Sequence, residues 1–161
     1  MPNIIEILDS LDIKFKRFGH PAVFTVEQAQ HHAAHMPSVG HTKNLFLKTE
    51  KSPTRYYLYT LPHHQRADLK SLAKSLDLSC RLTFASDSEL KELLGLTPGS
   101  VSPLGLINDT SHRVQFLISS ELLHNSHILM HPNDNTATIE ISVPDFQKFL
   151  SHTGHTPRLV T

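Results

Sequence analysis

The stretches KNLFLKTE at residues 43–50 and RYYLYTL at residues 55–61 carry nearly continuous apolar runs and are separated only by KSPT. A strand with one face in water alternates apolar and polar residues. A strand apolar at both parities has to be covered on both faces. The pair therefore predicts a β-hairpin at the centre of the molecule, turned by KSPT and buried on both sides.

The remaining periodicities supply the cover. Ile4, Ile5, Leu8 and Leu11 recur at helical spacing and open the chain with an amphipathic helix. Residues 14–24, KFKRFGHPAVF, read as a short strand running into a turn. Thr25 and Gln28 are spaced as a capping box, so a helix starts after Thr25 and is stopped by Pro37, Ser38 and Gly40. A second amphipathic helix is expected over 67–78, with Leu69, Leu72, Ala73 and Leu76 on one side, and RLTF at 81–84 is a short strand. A helix capped by Ser86 and Glu89 ends at Gly95. Beyond residue 112, RVQFLIS and HILM are strands with one helical turn, SELLH, between them. HPNDN is a tight turn, TATIEIS a half-buried strand, and VPDFQKFLSH a closing helix. Helices alternate with hairpins rather than with single parallel strands. The expectation is one α+β domain over residues 1–161, with a central mixed, largely antiparallel sheet flanked by helices.

Composition narrows the function classes. Fifteen Lys and Arg balance fifteen Asp and Glu, which argues against a broad electrostatic footprint on nucleic acid but not against a short contact with one nucleic-acid end. No DNA partner is expected. No apolar run reaches the roughly 18–20 residues of a membrane span, and the mixed-charge N-terminus is no signal peptide, so a cytoplasmic protein without a membrane partner is expected. The single cysteine, Cys80, excludes an internal disulfide and a four-cysteine zinc site, and its setting suggests a small core residue.

Thirteen histidines raise the question of a metal. His31 and His35 in HHAAH lie one helical turn apart, but His32 occupies the place of the glutamate a metalloprotease helix would need. His63 with His64, and His124, His127 and His131, lack complete tetrahedral spacing. No metal and no cofactor are expected. No GxSxG elbow, Walker A loop or GxGxxG is present, and no base is implied beside Ser100 or Ser102.

One stretch fits none of the regular elements. GLTPGSVSPLGLIND, residues 95–109, places Pro98, Gly99, Pro103 and Gly105 among apolar Val101, Leu104, Leu106 and Ile107. It reads either as a plain turn plugged into the core, or as a stiff loop that brings backbone close to a ligand.

Six blocks in order, HPAVFTVEQA (20–29), KNLFLK (43–48), RADLKSLAKSL (66–76), PGSVSPLGLIND (98–109), HPNDNTATIEIS (131–142) and GHTP (154–157), resemble the YbaK/prolyl-tRNA-synthetase-associated editing domains. The chain is most similar to the freestanding prolyl-tRNA deacylases of that family. The resemblance implies a trans-acting hydrolase that cleaves the ester of mischarged tRNA(Pro), foremost Ala-tRNA(Pro), without a metal. A deacylase for cysteine or another small amino acid, and a non-catalytic binding module of the same fold, are the alternatives.

The same resemblance implies the site. Lys43 would stabilise negative charge near the ester, Gly99 would let the loop approach the substrate, and His131 would sit near the terminal ribose. Asn44 would be a second polar contact. Ser100, Ser102 and Pro103 would hold loop amides ready for an oxyanion. Phe46, Val101 and Met130 are candidates for narrowing the pocket and equally for plain core, and His131 reads equally as a turn-stabilising residue. The implied partners are the 3′ end and acceptor stem of tRNA(Pro), with prolyl-tRNA synthetase a further one. At Ser119–Ser120 relatives often carry an acid that this chain lacks.

Overall fold

The computed structural model describes residues 3–19 and 40–161. The block at 20–29, the helix expected after Thr25, and His31, His32 and His35 lie outside the described residues.

Strands β2 (Thr42–Thr49) and β3 (Tyr56–Pro62) form the expected hairpin, with Phe46 opposite Leu58 and Lys43 opposite Leu61. They are the second and third strands of a five-stranded mixed sheet. Strand β4 (Leu82–Phe84) pairs antiparallel with the outer side of β2, β5 (Val114–Ser119) runs parallel to β3, and β8 (Arg158–Val160) runs parallel to β5. A separate antiparallel sheet is built from β1 (Phe15–Gly19), β7 (Ala137–Ser142) and β6 (His127–Met130), in that order. The expected α+β architecture is present, with its strands divided between two sheets. The three-residue β8 is too short to announce itself in the sequence, and it pairs with residues about forty positions away.

Both faces of the five-stranded sheet are covered, as the hairpin composition requires. On one face Phe46, Leu58, Phe116 and Ile118 pack with Ile128, Met130, Ile139 and Ile141 of the second sheet. Helices α1 (Ile4–Ser10), α3 (Asp87–Leu94) and α4 (Val143–Thr153) complete this core through Leu8, Leu94, Phe146 and Phe149. On the other face Leu47, Tyr57, Tyr59, Leu61 and Leu117 pack against Leu72, Ala73 and Leu76, from α2 (Leu69–Ser75) and its C-cap. Cys80 is only half-buried, in the turn before β4, rather than a core residue.

Helix α3 is fixed at both ends and on one side. Ser86 and Glu89 close the capping box, and Gly95 ends the helix in the left-handed conformation. The Glu89 carboxylate also takes Lys48 Nζ at 2.8 Å and the Tyr56 hydroxyl, tying the helix to the central hairpin. Hydrogen bonds from Lys48, then Tyr56 and the Ser86 amide, hold the Glu89 carboxyl at about 2, against an ordinary 4.5. A carboxylate with a depressed folded pKa stabilises the fold above its unfolded value and loses that contribution as pH falls through the folded one. Glu89→Gln keeps a cap acceptor and removes the charge. Its urea midpoint is expected to fall below wild type at neutral pH, with the gap closing as pH drops from about 4.5 to about 2.

Candidate active site

The leading end of β2 is fastened to the trailing end of β6. His41 and Leu129 form a parallel bridge, the Leu129 amide donates to Gly40 O at 2.8 Å, and Thr42 Oγ1 donates to Leu129 O at 2.6 Å. Gly40 makes the approach possible. Its φ is +87°, and a Cβ there would lie 2.7 Å from His127 O and 3.3 Å from Ile128 Cα, both backbone atoms. Gly40→Ala therefore combines left-handed strain of about 1–2 kcal/mol with a contact that only strand separation relieves. Its melting temperature is expected to fall by roughly 2–8 °C, read by thermal unfolding.

This fastening joins two of the candidate residues. Lys43 and His131 each stand two residues beyond the His41–Leu129 bridge, on the two adjoining segments. His131 is half-buried and its ring is oriented by Ala137 O, 2.9 Å from Nδ1. The carbonyl can only accept, so Nδ1 carries the proton, and in the neutral ring Nε2 is an acceptor.

Strand alternation separates Lys43 from Asn44 and Phe46. Phe46 is buried in the first core, stacked on Tyr56, while Lys43 lies on the face of Leu47 and Leu61. There it is close to His63, whose pKa is lowered first by burial and then by the charges of His41, Lys43 and His64. The His41 and His63 rings meet edge to face at 6.3 Å. Beside them opens a cavity of about 340 Å³ lined by His41, His63, His64, Glu121 and Asn125. His63 and His64 lack a metal-ligand spacing in the sequence; the hairpin register, which brings residue 63 to residue 41, is the signal that finds them. Among the described residues no three His, Cys, Asp or Glu side chains are grouped to hold a metal ion.

Asn44 Oδ1 accepts from the hydroxyl of Thr60, its cross-strand partner, which is fully buried. That bond sets the amide's orientation, and it too was readable only from the register. Phe46, Met130 and the half-buried Val101 belong to one apolar cluster, so the three pocket candidates are brought together, as core.

The glycine- and proline-rich loop has a definite construction. Pro98 and Gly99 occupy the centre of a turn closed by Ser100 N donating to Thr97 O at 3.1 Å, with Gly99 at φ +89°. The Ser100 hydroxyl donates to Thr97 O at 2.9 Å. Ser102, fully buried, caps a 3₁₀ helix (Pro103–Asn108) by accepting from Leu104 N at 3.2 Å. Both serine hydroxyls and the Ser100 amide are therefore committed to the loop itself. The amides of Val101 and Ser102 donate to no backbone carbonyl among the described residues. Leu104 and Leu106 are buried and anchor the loop, with Ile107 packed against the same core.

The far end of the loop is tied down by a buried polar cluster. Asp109 accepts from the Arg113 and Val114 amides at 2.9 Å each, and from His155 Nε2 at 2.9 Å. The closing GHTP block thus locks the loop block, 46 residues apart in sequence.

A family model described as the aminoacyl-tRNA editing domain matches residues 20–149. The prolyl-tRNA editing protein ProX of Acetoanaerobium sticklandii is 35% identical over 154 residues, covering 95% of this chain and 92% of that protein. The prolyl-tRNA synthetase associated domain-containing protein 1 of Bos taurus is 38% identical over 153 residues, covering 93% of this chain and 88% of that protein. A solved structure described as a candidate trans-editing enzyme for prolyl tRNA synthetase superposes with a TM-score of 0.67 at 20% identity, covering 98% of this chain and 96% of that one, and so shares the fold. No helix among the described residues is long and apolar enough to cross a membrane.

Proposed function

Because the chain belongs to the aminoacyl-tRNA editing domain family, we propose that it hydrolyses the ester of mischarged tRNA(Pro) in trans, with alanine the amino acid removed. The observation that carries this reading is the fastening of β2 to β6, which sets Lys43 and His131 at matching positions beside one bridge.

In the proposed reaction a water oxygen attacks the ester carbonyl carbon, and the carbonyl oxygen becomes an oxyanion. Lys43 stabilises that charge, and Gly99 keeps the turn open to the substrate. The intermediate collapses by breaking the bond to the ribose oxygen, which takes a proton and leaves as the free terminal hydroxyl. His131 holds a ribose hydroxyl or the water through Nε2, and Asn44 supplies a further polar contact. An aminoacyl ester is labile, so positioning and oxyanion stabilisation suffice without a nucleophilic side chain.

Selectivity follows from size. A synthetase pocket built for proline rejects alanine weakly, since a missing methylene is worth about 1–3 kcal/mol. A second site too small for proline removes the error and spares the correct product. Phe46, Val101 and Met130 are the residues proposed to set that size. The partners are the 3′ end and acceptor stem of tRNA(Pro), with prolyl-tRNA synthetase as the source of the error. The 161 residues act as one cytoplasmic editing domain.

The test is release of alanine from Ala-tRNA(Pro) by purified protein, before and after exhaustive chelation. Undiminished hydrolysis supports the metal-independent reading, and loss on chelation restored by one metal refutes it. Preferential release of cysteine or serine would keep the reaction and move the specificity. Binding of tRNA with no hydrolysis would leave a non-catalytic module.

A further inference from the structure

Ester hydrolysis carries one proton from the attacking water to the departing ribose oxygen. The Lys43 ammonium has donors only and cannot take it. His63 stands one residue beyond β3, and its amide donates to His41 O at 2.9 Å, extending the β2–β3 ladder by one rung. In that register Lys43 faces Leu61, so His63 is the diagonal neighbour of Lys43 on the same face of the hairpin. Diagonal neighbours lie roughly 7–8 Å apart along the backbone, a span that a lysine, an imidazole and one water close. The His63 ring borders the cavity of about 340 Å³ beside the hairpin, with His41, His64, Glu121 and Asn125.

Its polar atoms are uncommitted where those of other histidines are not. Ala137 O holds Nδ1 of His131, Thr153 O holds Nε2 of His112, and Thr153 and Asp109 take the two ring nitrogens of His155. The His63 ring meets that of His41 edge to face, and neither of its nitrogens forms a hydrogen bond among the described residues. The charged and titratable groups around it are His41 and Lys43 at the start of β2, His64 beside it, and Glu121 across the cavity, 4.0 Å from His64 Nε2. Burial, then the charges of His41, Lys43 and His64, lowers the His63 pKa, so the ring is neutral at neutral pH and has a lone pair to offer.

We propose that His63 is the general base of the hydrolysis. Its unprotonated nitrogen takes a proton from the water as the water oxygen bonds to the ester carbonyl carbon. The imidazolium returns that proton to the ribose oxygen as the bond between carbonyl carbon and ribose oxygen breaks, and the neutral ring is restored. Lys43 serves the carbonyl oxygen, His63 the water, and His131 Nε2 stays with the ribose hydroxyl. The assignment rests on the proposed reading of the chain as a hydrolase of aminoacyl esters.

The test is kcat and KM for Ala-tRNA(Pro) from about pH 5 to about pH 8, set beside the NMR titration of the His63 ring. A general base works only when unprotonated, so kcat should fall as pH drops through the His63 pKa, which lies below its ordinary 6.5. His63→Ala is expected to lower kcat about 10²–10⁴-fold, to lose that acid limb, and to leave KM and the melting temperature unchanged. Added imidazole should restore part of the rate. His41→Asn removes a charge that holds the His63 pKa down, and should move the limb and the titration upward together. His64→Asn, at an exposed position, should move both by less. A His63→Ala protein with wild-type kcat, or one slowed with its acid limb intact, would overturn the assignment, as would a limb that stays in place while the titration moves. Loss of the limb in His131→Ala but not in His63→Ala would pass the role to His131. A wild-type protein that hydrolyses no aminoacyl-tRNA(Pro) would refute the reaction itself, and the base with it.

Discussion

Lys43→Ala is expected to slow release of alanine from Ala-tRNA(Pro) by about 10²–10³-fold, the cost of removing one preorganised group that stabilises a developing oxyanion. The loss should fall on kcat, since the charge to be stabilised exists only in the transition state. Lys43 is half-exposed at the start of β2 and forms no ion pair among the described residues, so the variant should unfold at the wild-type temperature. A second readout is independent of activity. The Lys43 charge is one of the causes that hold the His63 pKa below its ordinary value, after burial and His41. Removing it should move the His63 titration upward, as followed by NMR. A folded variant with full activity would take Lys43 out of the proposed mechanism, and an unchanged His63 titration would take it out of that cluster.

Asp109→Ala is expected to produce the largest loss of stability. The Asp109 and His155 side chains are 1% and 3% exposed, and the carboxylate also receives two backbone amides. Removing one partner of a buried pair costs about 3–5 kcal/mol, because the other is left buried and uncompensated. A fall in melting temperature of roughly 6–20 °C follows for a chain of this size. Asp109 also ends the 3₁₀ helix that begins at Pro103, so the whole loop from Pro98 onward should loosen with it. Asp109→Asn, which retains an acceptor for the amides, should lose less. Equal stability of the alanine variant and wild type would show that the cluster does not lock the loop.

What the sequence disclosed tracks the range of the interaction involved. The hairpin, the Ser86–Glu89 cap and the Gly95 helix end are set by neighbours a few residues apart, and they stand where periodicity and cap chemistry put them. Pairing of β1 with β7 joins residues 15–19 to 137–141, and no local pattern encodes that choice. The same limit hid the Asp109–His155 contact and the approach of β6 to β2. Lys43, Gly99 and His131 were legible only through resemblance, since each is an ordinary residue for its position: a strand start, a turn and a loop. The serines illustrate the reverse. Their setting suggested a ligand loop, whereas Ser100 and Ser102 spend their hydroxyls on Thr97 and Leu104. Two backbone amides of that loop, of Val101 and Ser102, donate to no backbone carbonyl among the described residues.

The measurement that bears most directly on the central claim is the ratio of hydrolysis rates for Ala-tRNA(Pro) and Pro-tRNA(Pro), taken side by side with the same enzyme preparation. The proposed size sieve predicts rapid loss of alanine with proline left on its tRNA. Equal hydrolysis of both esters, or faster loss of proline, would contradict it.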